Sequence, residues 1–388
     1  MSVRETNTIC VLSTKGGAAM RIRGIYICVI LAVLLVSCSG TAGAPAAVQP
    51  ELTAALPDGV GLATASGYVG EPVAYRDEVV YMFMVGDESA AGSMYYQLFE
   101  YDDDFIPVSP AADRIICGDE YAVYMDVDRS TGECEYFADS YDFDNRTELV
   151  LPDGCGINFI DGGRLYYTWG GSYYYCDISD GESAAVGVDS DEYILLAADG
   201  ERLLFLSRGN GNDCRGLMLY DKNSGRRIVG TLDDDCNMEY MSSHTSALIC
   251  GEYAYLTLVG DYAGAENTRR LARVNLADGE SLVFGESLAF GETTIISPSV
   301  DGYELISCGI ELAAGGGSVY AESSIYSTAS FENRDGRVNL LYAVGADGCT
   351  VYPEIPVDSV GLVRVFGEKL IICEPNGDKL KTRIYELD

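Results

Sequence analysis

The chain has 388 residues, of which 25 are basic, 60 acidic and one histidine, for a net charge of −35. Such a polyanion repels phosphate backbones and anionic lipid surfaces, which argues against a nucleic-acid partner and against membrane contact through a basic patch. The lone histidine excludes His-rich zinc sites and two-histidine iron sites, and permits a Ser-His-Asp arrangement only with His244 as its base.

The first predicted element is a leader. Arg21 and Arg23 form a short basic region, Ile25 to Val36 is an unbroken apolar run, and Leu35-Val36-Ser37-Cys38 closes it. About a dozen residues are too few to span the roughly 30 Å bilayer core as a helix, but they suit the apolar region of a signal peptide. The Leu-Val-Ser-Cys sequence resembles the lipobox of bacterial lipoproteins. The resemblance implies that residues 1–37 are removed, with Met20 as the expected true start. It also implies that Cys38 carries a diacylglycerol holding the protein on the extracytoplasmic face of the cell membrane. An uncleaved signal anchor is the alternative. Ser13 to Gly17 (STKGG) lacks the spacing of a phosphate loop. Residues 38–50 are small, uncharged and proline-containing, a composition that buries nothing and reads as a tether. Loss of the leader leaves 21 basic and 59 acidic residues, a net of −38.

From residue 51 to 388 one hairpin anatomy recurs. Its clearest copy is Asp161 to Gly181, in which an Asp-Gly turn precedes RLYYTW, Gly170-Gly171 reverses the chain, and YYYCDI returns to Asp180-Gly181. Comparable first strands follow turns at Asp77-Glu78, Gly118 to Glu120, Asp199 to Glu201, Gly251-Glu252, Asp301-Gly302 (then YELISC) and Gly367-Glu368. Second strands end at Asp102, Asp142, Asp180, Asp221, Asp278, Asp347 and Asp388. Glu148 to Leu151, Arg227 to Val229 and Ser281 to Phe284 read as outer strands, making four per unit. One hairpin cannot bury its apolar face, so the copies must stack.

Units of four strands every forty to sixty-five residues or so, with no helical periodicity, predict an all-β fold, a β-propeller of about seven four-stranded blades. A β-sandwich pair or a β-solenoid is the alternative. The mature chain resembles the extracytoplasmic propeller repeats of the TolB and WD40-like group, whose turn often reads Ser-Pro-Asp-Gly. Ser297-Pro298-Ser-Val-Asp301-Gly302 is that pattern with two residues inserted. The final unit ends the chain at its third strand. Glu51 to Gly59 (ELTAALPDG) resembles Glu148 to Gly154 (ELVLPDG), so the N-terminal segment is expected to supply the missing outer strand and close the last blade.

Chemistry is sparse. No catalytic constellation can be singled out, and with so many acids, carboxylate pairs meet by chance. Asp126 to Glu133 is similar to a calcium loop but has the wrong spacing and reads first as a blade turn. The runs Asp102–Asp104 and Asp233–Asp235 offer looser calcium binding; otherwise no metal or cofactor is implied. Trp169, with Tyr167, Tyr173 and Tyr175, can stack on a sugar ring or fill the wedge between blades. Ten cysteines remain after Cys10, Cys28 and Cys38; Cys155 with Cys176, and Cys214 with Cys236, are expected as disulfide pairs if any form. The expected function is a membrane-tethered propeller that binds a protein or glycan without chemistry. An extracytoplasmic hydrolase or lyase with acids at the channel is the alternative.

Overall fold

The computed structural model describes residues 46–47, 51–55, 70–88, 93–101, 104–143, 146–200, 202–208, 214–221, 225–231, 236–238, 247–262, 265–276, 282–284, 288–290, 293–296, 303–304, 310–315, 318–327, 337–345, 348–352, 355, 362–376 and 379–387. The leader with Cys38, most of the tether, His244, Asp233–Asp235, the Ser297-Pro298 turn and most of Asp102–Asp104 lie outside the described residues. Every regular element described is a strand, and the strands form seven antiparallel sheets.

Each sheet carries a four-strand path and is one blade of a ring. Blade 3 shows the pattern: Gly156–Asp161, Arg164–Trp169, Ser172–Asp177 and Ser183–Asp189 pair in chain order. The first strands are innermost, because it is they that touch between neighbouring blades. Leu362–Phe366 of blade 7 meets Ile310–Gly315 of blade 6 on one side and Gly70–Arg76 of blade 1 on the other, which closes the circle.

The second and third strands of a blade are buried on both sides, which explains their near-continuous apolar runs. Successive residues point to opposite faces. Leu165 and Tyr167 therefore pack with Val123 and Tyr136 of blade 2, while Tyr166 packs with Leu203 and Phe205 of blade 4. Similar apolar clusters fill the seams between blades 1 and 2, 4 and 5, and 5 and 6.

The N-terminal segment closes the ring. Leu52–Ala55 pairs antiparallel with Lys379–Thr382, outside the third strand of blade 7, and Ala54 is buried against blades 1 and 7. Ala46 and Ala47, in the stretch read as tether, also pair with Glu386 and Tyr385.

Three expectations need correction. In blade 6, YELISC is not the second strand; Ser318–Ser327 is, making eight register pairs with the third strand, whereas Tyr303–Glu304 only pairs with its far end. The Asp-Gly turn signal pointed to the wrong segment, because a ladder that long outweighs a local turn preference. In blade 5, Thr293–Ile296 is the outer strand, pairing with Leu271–Val274. The expected outer strand, as Leu282–Phe284, instead forms a hairpin with Leu288–Phe290, which bridges to Gly230 and covers part of blade 4's outer edge. Finally, Cys155 and Cys176 are not on facing strands. Cys155 precedes the first strand of blade 3 and Cys176 lies on the third, with the second between them, and both are free thiols. Cys214 and Cys236 open strands of different blades, the fourth and the fifth.

Candidate binding surfaces on the third blade

The central hairpin of blade 3 pairs Arg164 with Asp177, Tyr166 with Tyr175, Tyr167 with Tyr174, Thr168 with Tyr173 and Trp169 with Ser172. Gly170 and Gly171 join the strands with φ of 55° and 78°, the doubly positive conformation that a two-residue turn matching strand twist requires. This register divides the four aromatic residues singled out by sequence. Tyr167 faces blade 2, fully buried, with its ring stacked on Tyr174 at 5.5 Å. Tyr173 faces blade 4, also buried; its hydroxyl donates to the Tyr193 carbonyl and accepts from the Leu195 amide, both at 3.1 Å. These two rings weld blade 3 to its neighbours. Trp169 stands at the hairpin tip, 44% exposed, with Tyr174 edge-on at 5.9 Å.

Tyr175 belongs to a different feature, a cleft of about 110 Å³ between blades 3 and 4. It opens toward the rim that carries the first-to-second-strand turns, opposite the Trp169 tip. Arg164, Tyr166, Tyr175, Ala185 and Val186 of blade 3 line it together with Gly200, Leu203 and Tyr220 of blade 4. Arg164 is fixed from two directions, with its guanidinium 4.8 Å over the Tyr175 ring and donating to the Gly200 carbonyl at 3.4 Å. Tyr166 lies beneath, 2% exposed, and burial pushes its hydroxyl up to about 12 although Arg164 donates to it. Asp161 completes the surroundings. Its carboxylate accepts from the Gly200 amide at 3.0 Å, and burial raises its pKa against the pull of that bond and of Arg164.

The Arg164 bond belongs to a series in which one blade's turn clasps the next. Arg76 donates to the Asp119 carbonyl at 3.4 Å and Arg202 to the Gly251 carbonyl at 2.6 Å. Sequence reading did not select Arg164, Tyr166 or Tyr220. The available signal was positional: Arg164 and Arg202 each open a second strand immediately after an Asp-Gly turn.

Asp128 to Gly132 is a hairpin turn of blade 2. The Asp128 carboxylate accepts from the Ser130 amide at 2.8 Å and its hydroxyl at 2.7 Å, which lowers the Asp128 pKa. Among the described residues, no three His, Cys, Asp or Glu side chains are grouped to hold a metal ion, and no helix is long and apolar enough to cross a membrane.

No family model and no curated protein matches the chain. Solved structures with similar architecture include PorZ, a bacterial surface component of the type-IX secretion system of Porphyromonas gingivalis. It is 12% identical with a TM-score of 0.38, over 79% of this chain and 42% of that one. The β-propeller domain of the Trilobed protease from Pyrococcus furiosus, described as having an open velcro topology, is also 12% identical with a TM-score of 0.36, over 73% of this chain and 97% of that one. Oligopeptidase B from Leishmania major is 12% identical with a TM-score of 0.44, over 83% of this chain and 45% of its own. The chain thus spans less than half of PorZ and of the oligopeptidase.

Proposed function

We propose that the chain is an extracytoplasmic propeller of the TolB and WD40-like kind, lipid-anchored to the bacterial cell membrane at Cys38, that binds a protein or glycan partner without chemistry on it. The observation that carries the binding role is Trp169. An indole buries a large area when it can, and here the chain's single tryptophan stands partly in solvent beside a Gly-Gly turn, with Tyr174 edge-on to it. Such a ring contributes affinity at little entropic cost, because only two side-chain torsions have to be ordered. The acidic charge favours a neutral or cationic partner, since like charge slows encounter.

Saturable binding to a cell-wall glycan or surface-protein preparation should weaken at least tenfold in Trp169→Ala with unfolding unchanged. Turnover of the bound partner that disappears on changing one acid or His244 would replace this reading with the hydrolase or lyase. The anchor has its own test. Mass spectrometry of the membrane fraction should show a diacylglyceryl peptide beginning at Cys38, and Cys38→Ser should release the protein or leave it as precursor; a soluble chain beginning elsewhere removes the anchor.

A further inference from the structure

The joint between blades 2 and 3 brings two thiols to one hydroxyl. Cys134 opens the third strand of blade 2, Cys134–Ser140, and Tyr136 follows in alternate position, so both side chains leave the same face of that strand. The ladder pairs Tyr136 with Leu149, the last residue of the blade's outer strand. Beyond it, Pro152 to Cys155 is a tight turn, with Gly154 at φ 72° and the Cys155 amide donating to the Pro152 carbonyl at 3.2 Å. That turn carries the Cys155 thiol back to the Tyr136 hydroxyl, to which it donates at 3.4 Å. Burial raises the hydroxyl above its ordinary range, and the hydrogen bonds it shares with Cys155 and Cys134 add to the rise. Both thiols are free, partly exposed and packed on the same apolar cluster.

We propose that Cys134 and Cys155 are a disulfide-forming pair, closed by exchange with a disulfide oxidant in an oxidising compartment, that staples blade 2 to the entry of blade 3. One protein thiolate attacks a sulfur of the oxidant, whose other sulfur leaves as a thiolate. The second protein thiolate then attacks the protein sulfur of that mixed disulfide and expels the remaining half. The cysteines lose two protons and two electrons, and the oxidant departs as two thiols. Cys176, the rival partner for Cys155, is 0% exposed and separated from it by the second strand of blade 3. Burial also raises the Cys155 thiol. Reduced Cys155 therefore gains nothing by ionising at neutral pH, which favours a lasting bond over the labile exchange of acidic thiols. The bond would secure an exposed edge. Arg146–Leu149 is held by four register pairs, its first three residues are exposed, and so is Val150 after it. A link from Cys134 to Cys155 closes a loop of roughly twenty residues around that strand and restricts the unfolded chain accordingly.

The test incubates the purified full chain, reduced and native, with oxidised glutathione, then maps its peptides by mass spectrometry without reduction. A peptide joining Cys134 to Cys155 should appear and vanish with dithiothreitol. The urea midpoint should rise on oxidation and return on reduction. Cys134→Ser and Cys155→Ser, both at partly exposed positions, should show neither the joined peptide nor the rise. In Cys134→Ser, Cys155 should hold one glutathione instead. Trp169→Ala should close as the parent does, which keeps the pair separate from the binding surface. Separate glutathione adducts on the two cysteines, a link from Cys155 to Cys176, or a joined peptide formed only in urea would overturn the pairing. A joined peptide with an unchanged midpoint would overturn the staple.

Discussion

Two seams of the ring solve the same packing problem differently. Between blades 7 and 1 the chain gives no help, because the residues that meet are far apart in sequence; Tyr101 donates to the Leu380 carbonyl across 279 positions. That seam holds Val80, Met82, Met84, Phe99, Ile371 and Ile384, all buried, and Tyr101 stacks on Phe105 at 4.4 Å. Between blades 3 and 4 a short connection from Asp189 to Tyr193 already holds the partners together. There Tyr173 and Phe205 pack at 5.3 Å in the middle, and one rim is left open as the Arg164 cleft. Where the backbone tethers two blades, packing can be given up for a pocket; where only side chains and a four-residue strand close the ring, it cannot.

The largest test of this contrast is at the closing strand. Ala54→Asp places a carboxylate in the seam with no partner, and an uncompensated buried charge costs about 3–5 kcal/mol. The denaturant midpoint should fall sharply, and the edge exposed on blade 7 should promote association detectable by light scattering. An unchanged midpoint would mean that the strand is not needed for closure.

Next come paired truncations. Met82→Ala, at 0% exposure in the middle of that cluster, should cost within the usual range of about 2–5 kcal/mol, toward its upper end. Leu203→Ala should lie toward the lower end, since its side chain already borders a cleft and less new cavity surface is made. Equal losses by urea unfolding would erase the proposed difference in packing between the seams.

Both seams contain a buried tyrosine whose hydroxyl is pushed up to about 12, Tyr101 at the closure and Tyr166 under Arg164, each by burial. The unfolded phenol ionises near its ordinary 10. From there to about 12 the native state binds more protons than the unfolded state, so stability falls as pH rises through that window. Two units correspond to about 2–3 kcal/mol for each ring. Alkaline unfolding curves should flatten by that amount in Tyr101→Phe and in Tyr166→Phe. At pH 7 Tyr101→Phe should lose only the modest net value of its bond to Leu380, about 1 kcal/mol.

Much of the ring was legible in the sequence because blade strands are local: turn residues and doubly buried apolar runs identify the second and third strands of blades 1 to 5 and 7. The closing strand was legible through the likeness of Glu51 to Gly59 to Glu148 to Gly154. What escaped depends on long-range register. Nothing local distinguishes Thr293–Ile296 from Leu282–Phe284 as an outer strand, since either is a short apolar run and only pairing with Leu271–Val274 decides. The candidate surface was half visible for the same reason. Aromatic density marked blade 3, but period-two alternation sends Tyr167 and Tyr175 to opposite faces, and the partners that make the cleft, Gly200, Leu203 and Tyr220, come from the next blade.

The smallest expected effect concerns the turns at the inner rim, where blades 1 and 3 use different residues for one conformation. Gly162 and Gly163 have φ of 52° and 76°; Asp77 and Glu78, in the equivalent turn of blade 1, have φ of 50° and 68°. A non-glycine residue held there costs about 1–2 kcal/mol, while glycine gives back about 0.5–1 kcal/mol through the greater freedom of its unfolded chain. Glu78→Gly should therefore raise stability by up to about 1 kcal/mol, and it removes a carboxylate that presses on Tyr75. The reverse change calibrates the forward one. A Cβ at Gly163 would meet nothing closer than Tyr121 at 3.8 Å, an ordinary contact, so Gly163→Ala should lose about 1 kcal/mol through its backbone alone. Opposite shifts of similar size in the two urea midpoints would show that the rims of both seams obey one backbone rule. A loss in Glu78→Gly would show instead that the glutamate side chain contributes more at the ring closure than its backbone costs, which would extend the tight packing of that seam to its rim.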